Sequence, residues 1–164
     1  MEKEYNKWEK FYHRFNTIFH GIVAISLIPF AYIFLETQKE FADAPMIGEE
    51  VEIPLKIVLT LLVVGAGFYS KVYFKKIIGS IVVIPDLTLK LSHYLRLKLI
   101  QYGILECGTL LALVGLYVSK DQWYTALYLV LIFAFSLFRP TYDLVIRELK
   151  ISSEEEACLK KGDF

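Results

Sequence analysis

The sequence predicts an all-α fold, an integral membrane bundle of four transmembrane helices with interfacial amphipathic helices, and three observations carry that prediction. The 164 residues are 55% hydrophobic and 22% charged with a mean hydropathy of +0.46, more apolar than an ordinary soluble domain. Residues 99–118, LIQYGILECGTLLALVGLYV, form a run with one carboxylate, Glu106, long enough to cross a hydrocarbon core of about 30 Å. The net charge is zero, yet the eighteen basic and eighteen acidic residues are segregated along the chain.

Residues 1–16 interleave Lys3, Lys7, Lys10 and Arg14 with Trp8, Phe11, Tyr12 and Phe15, a pattern that suits a helix lying in the headgroup layer and leading into the first span. That span covers about residues 15–36. Pro29 should kink it near Ile25, and Asn16, Thr17 and His20 share a face near its charged start. Ala42-Asp43-Ala44 has the look of a signal-peptidase site, but the apolar run is too long and too far upstream for a cleaved leader, so a retained span is expected. Residues 36–52 then form an acidic loop with turns at Pro45 and Gly48.

The second span, about 53–74, opens with Glu52 ahead of Ile53-Pro54, an acid and a proline suited to a first helical turn. Lys56 should snorkel toward the acidic loop, and Gly65 and Gly67 would let a neighbouring helix approach. Residues 75–98 are basic and amphipathic. Leu87, Leu89, Leu91, Leu95 and Leu97 alternate with polar residues like a strand, whereas Pro85-Asp86 offers an N-cap for a helix from Leu87. The helix is favoured because a lone strand lacks an edge partner, and it would continue into the third span, 97–118, for about 48 Å in all. Residues 75–86 stay open between helix, loop and strand.

Ser119-Lys120-Asp121 is so short that the third and fourth spans must form an antiparallel hairpin. The fourth span, about 122–138, carries no charge and starts at the aromatic pair Trp123-Tyr124. It ends at Arg139-Pro140-Thr141, after which Leu144, Val145, Leu149 and Ile151 can lie along the membrane surface. The whole reads as one four-helix transmembrane domain over residues 1–152 with a disordered cytoplasmic tail over 153–164.

Lys and Arg number four before the first span, six from Lys71 to Lys98 and five from Arg139 to Lys161, against Lys39, Lys56 and Lys120 on the other side. The positive-inside rule therefore places both termini and the middle connection in the cytoplasm.

The candidate intramembrane polar site comprises Glu106, His20, Asn16, Tyr102, Thr109 and Thr60. A mid-bilayer carboxylate normally faces other helices, a polar partner or water, or is protonated. Three roles stay open for Glu106: an interhelical hydrogen bond that sets packing register, proton or cation handling with His20 nearby, and contact with a ligand or headgroup. A protonated Glu106 is expected unless His20 or water reaches it. Gly65, Gly67, Gly103, Gly108, Ala112 and Gly115 are the candidate helix-packing positions, which would make the third helix central.

The run LTLKLSHYLRLKLIQYGILECGTLLALVGLY followed by FRPTYDLVIRELKIS resembles small four-span bacterial membrane proteins of a kind common in Bacteroidota, through the segment at Leu105 to Gly108 and the Arg-Pro-Thr followed by Glu148 to Ile151. The resemblance implies a bacterial inner membrane and no particular activity. The second and third spans are also similar to the proteolipid hairpin of rotary ATPases, with Glu106 where that family has its proton-carrying carboxylate. The chain departs from that family in its sparse glycines and in the two dozen residues between the spans.

Cys107 and Cys158 form no C-x-x-C pair, and no H-E-x-x-H, Walker loop or G-x-S-x-G occurs. The expectation is a non-enzymatic accessory or scaffold component acting through helix packing and a basic cytoplasmic face. The alternative is a small proton- or ion-linked transport component using Glu106. Catalytic residues, metal and cofactors are expected to be none. The expected partners are the lipid bilayer and a second copy or another membrane protein, with no nucleic acid.

Overall fold

The computed structural model describes residues 7–38 and 47–161, and among them the chain is all-helical. The acidic loop's Pro45 and the Ala42-Asp43-Ala44 stretch lie outside the described residues, as do residues 1–6 and 162–164. Six helices follow one another: α1 Lys7–Thr37, α2 Glu49–Val82, α3 Leu87–Ser119, α4 Gln122–Leu137, α5 Tyr142–Leu149 and α6 Ser153–Lys161.

The described part of the amphipathic N-terminus and the first span are one 31-residue helix, about 46 Å long, so its first turns extend past an apolar core of about 30 Å. The helix runs through Pro29, which forgoes one bond to the Ile25 carbonyl. Helix α2 begins four residues before Ile53, with Gly48 at its N-cap, which puts Pro54 inside the helix rather than in its first turn. It continues through the basic stretch to Val82, and only residues 83–86 separate it from α3. The two dozen residues expected between the spans are therefore mostly helical extensions of both.

The Asp86 carboxylate accepts a 2.9 Å bond from the Leu89 N–H, as an N-cap should, and α3 then runs unbroken to Ser119. The leucine alternation is helical in outcome: Leu91 and Leu97 are buried while Leu89 is exposed. Lys120, in the left-handed conformation at φ 56°, ends the helix, and the Asp121 carboxylate caps α4 through the Trp123 N–H at 2.8 Å. Helices α1, α2 and α3 are each long and apolar enough to cross a bilayer. Helix α4, 16 residues or about 24 Å, passes the same test only together with α5, to which it is bent by 75°. Thr141 caps α5 after the Arg139-Pro140 break.

One expectation fails at the C-terminus: residues 153–161, expected to be disordered, form α6. Ser152 and Glu155 make a reciprocal cap, the Ser152 N–H to Glu155 Oε2 at 2.9 Å and the Glu155 N–H to Ser152 Oγ at 3.2 Å. Leu159 is then fully buried in the main apolar cluster.

Helix α3 is the hub and packs on α2, α4 and α1. Of its most apolar window 56% is buried, against 11% for α1 and for α2, whose outer faces leave residues such as Ile28, Leu61 and Phe68 uncovered. The core is rich in aromatics. Phe15, Phe19, Tyr94, Tyr102 and Phe135 fill the end shared with α5 and α6, and Phe30 stacks on Tyr128 at 4.0 Å deeper in the bundle.

Candidate functional site

Glu106 is 6% exposed, in the middle of α3. The Thr109 hydroxyl, one turn on, lies 2.8 Å from the Glu106 backbone carbonyl and 3.1 Å from Oε2, so it donates within the same helix. Ser26 of α1, fully buried, faces the carboxyl group, and the Tyr128 hydroxyl of α4 reaches Ser26 Oγ at 3.4 Å. Three helices thus meet around one carboxyl group. Its second oxygen, Oε1, is buried with no hydrogen-bond partner. An ionised Glu106 would leave that oxygen bare in an apolar interior, whereas a neutral acid carries its proton there at much smaller cost.

The other expected members of the site are elsewhere. His20 is exposed on the outer face of α1, its ring against Phe19 at 5.4 Å, so no Glu106–His20 pair forms. Asn16 is half-buried, and its Oδ1 is unpartnered. Tyr102 sends its hydroxyl to the Phe138 carbonyl at 2.7 Å, closing the end of α4. Thr60 accepts from the Trp123 indole at 3.1 Å. Ser26 and Tyr128 are the members that sequence reasoning missed. Depth was the available signal: Phe15 lies against Tyr94 and Tyr102, at 6.0 and 6.2 Å, so the parallel helices α1 and α3 bring Ser26, eleven residues on, near the level of Glu106.

The small residues divide in the same way. A Cβ on Gly108 would meet the Ala66 Cβ at 3.8 Å and the Val63 carbonyl at 4.0 Å, an ordinary contact across the α2–α3 seam. At Gly115 a Cβ would overlap the Tyr124 ring, so α4 requires glycine there, and Ala112 between them is fully buried. Gly65, Gly67 and Gly103 face open space and hold no helix close, contrary to expectation.

A second polar constellation lies where α3, α5 and α6 converge. Lys98 is fully buried, with Nζ 3.1 and 2.9 Å from the Glu148 carboxylate oxygens and 4.3 Å above the Phe74 ring. Tyr94, also fully buried, donates to Glu148 Oε2 at 2.6 Å. Lys90 pairs with Glu155 at 2.5 Å. Burial pushes the Glu155 carboxyl up, but the Lys90 ammonium and the Ser152 N–H outweigh it and hold the group below the ordinary glutamate range. Both lysines, expected on the basic cytoplasmic surface, are drawn into the protein.

At the opposite end Lys56 pairs with Asp121, beside Glu52 at 3.9 Å. Burial raises the Asp121 carboxyl, and Lys56 with the Trp123 N–H more than offset it, leaving it below the ordinary aspartate range. Among the described residues no three His, Cys, Asp or Glu side chains converge as a metal site would need. No family model, curated protein or solved structure matches the chain.

Proposed function

We propose that the chain is a four-span protein of a bacterial inner membrane, both ends and the α2–α3 connection cytoplasmic, acting as a non-enzymatic accessory or scaffold component through helix packing and its cytoplasmic face. Helices α1, α2 and α3 are three of the spans. The fourth is α4 with the turn that follows it, and amphipathic α5 lies along the surface with Val145 and Leu149 inward and Arg147 and Lys150 outward.

The observation that carries the reading is the closed setting of Glu106. Its neighbours are hydroxyls from α1, α3 and α4, and the Tyr128–Ser26 bond at 3.4 Å ties α4 to α1 beside it. Interhelical bonds of this kind contribute about 1 kcal/mol each in membranes. His20, the second titrating group that a proton path would need, faces outward. The uncovered apolar faces of α1 and α2 are left for lipid, a second copy or another membrane protein.

Reporter fusions test the topology: cytoplasmic activity is expected after residue 84 and at the C-terminus, and periplasmic activity at either position refutes it. The transport reading is favoured by one observation, the unpartnered Oε1 of Glu106. In proteoliposomes carrying a pH-sensitive dye, the scaffold reading expects no proton flux beyond empty vesicles. Flux abolished by Glu106→Gln would establish the rival.

A further inference from the structure

We propose that the groove between the first turns of α1 and of α3 binds the phosphate headgroup of an anionic phospholipid. The groove encloses about 540 Å³, within the range of roughly 300–1,000 Å³ common for small-ligand sites. One wall carries Lys7, Lys10 and Arg14 at helical spacing along α1. The facing wall, from α3, supplies the Thr88 and Ser92 hydroxyls, and Phe11 with Leu91 and Leu95 makes the apolar remainder. Among the described residues no carboxylate lines it, and none of the ion pairs between them uses Lys10 or Arg14. Cations beside hydroxyls match a phosphodiester, which accepts hydrogen bonds and carries negative charge.

The placement selects a lipid over a dissolved phosphate. Phe11 and Phe15, rings 5.9 Å apart, lead from the groove to the aromatic core, and Phe15 meets Tyr94 at 6.0 Å. The cations of α1 and the hydroxyls of α3 therefore stand at one level, just outside the apolar parts of both helices. A headgroup held there would keep its glycerol beside Phe11 and Leu95 and its chains in the bilayer. Each basic residue near an anionic surface strengthens attraction about fivefold, so removing two of them should cost roughly thirtyfold. This site rests on the membrane reading above, and the two fail differently. A chain recovered without detergent from the soluble fraction refutes the membrane reading, before any lipid is offered.

Native mass spectrometry of the full chain in detergent, with equimolar phosphatidylglycerol and phosphatidylcholine, tests the site. The wild-type chain should retain one phosphatidylglycerol with at least about tenfold preference, and Lys10→Gln with Arg14→Gln should bring the preference close to unity. The charge-preserving pair Lys10→Arg with Arg14→Lys should keep it, which separates loss of charge from loss of fold. Lys75→Gln with Lys76→Gln, exposed at the same end of the bundle, should also keep it. Equal retention of both lipids by the wild-type chain overturns the proposal. So does an equal loss in the Lys75/Lys76 pair, the mark of diffuse attraction, or displacement of the lipid by millimolar glycerol phosphate, the mark of a site for a soluble phosphate.

Discussion

Replacing Glu148 with alanine removes the carboxylate that both Lys98 and Tyr94 use, and leaves the Lys98 ammonium fully buried against Phe74 with no counter-charge. Breaking a buried pair from one side costs about 3–5 kcal/mol, because the stranded charge keeps its desolvation penalty while losing its partner. For a chain of this size that is a fall in Tm of roughly 6–20 °C. Lys98→Met strands only Glu148, whose side chain is 19% exposed and can turn to water, so its cost should be the smaller. The double variant Lys98→Met with Glu148→Leu removes both charges and should recover at least half of the Glu148→Ala loss, since apolar side chains of similar volume commonly replace buried pairs without penalty. Thermal unfolding in one detergent, followed by far-UV circular dichroism, gives all three values. A Glu148→Ala loss below about 1 kcal/mol, or a double variant as unstable as the sum of the singles, would refute the buried-pair reasoning.

Three further outcomes follow from the packing and the charges. Gly115→Ala should destabilise by about 1–3 kcal/mol through overlap with the Tyr124 ring, while Gly65→Ala and Gly67→Ala, facing open space, should be neutral or up to about 1 kcal/mol stabilising in the same melts. Because the docked Glu155 carboxyl is held below its ordinary range, docking of α6 is fully supported above the unfolded value, near pH 4.3, and weakens as pH falls through the docked value. Amide protection in residues 153–161, taken relative to the intrinsic exchange rate at each pH, should therefore fall on acidification and be unchanged between pH 6 and 8; a fall in protection within that neutral window would contradict the pairing. Carboxyl-directed carbodiimide should label Glu106 as a neutral acid in an apolar setting, and an infrared signature of an ionised carboxylate lost in Glu106→Gln would contradict its protonation.

The helices were legible where signals were local. Asp86 before Leu87 marked the start of α3, and the three-residue Ser119–Asp121 link dictated its hairpin with α4. The α6 helix was legible too, in Ser152-x-x-Glu155 ahead of Leu159, but its acidic composition masked the capping box. Glu106 could be recognised as buried from the apolar run around it, whereas its neighbours depended on the rotation of other helices. Ser26 and His20 lie six residues apart on α1, about 240° around the helix, and one-dimensional spacing does not say which of them turns inward. The glycines failed for the same reason: Gly65 and Gly67 look like Gly108 and Gly115 in sequence, and only the packing of Ala66 and Tyr124 separates them. Lys90 and Lys98 enter the orientation argument as basic residues of the middle connection, yet their partners come from 65 and 50 residues away, beyond any local pattern.

Copurification from native membranes, with the wild-type chain and Glu106→Gln carried through side by side, tests the scaffold reading most directly. Quantitative mass spectrometry after mild crosslinking should recover the same companions, whether a second copy or another membrane protein, with yields from the two chains within about twofold, because glutamine preserves the shape and hydrogen bonding of the Ser26–Thr109–Tyr128 setting. If the wild-type chain recovers no companion, or if Glu106→Gln keeps every companion while abolishing a cation or proton flux that the wild-type membranes carry, the scaffold account is contradicted.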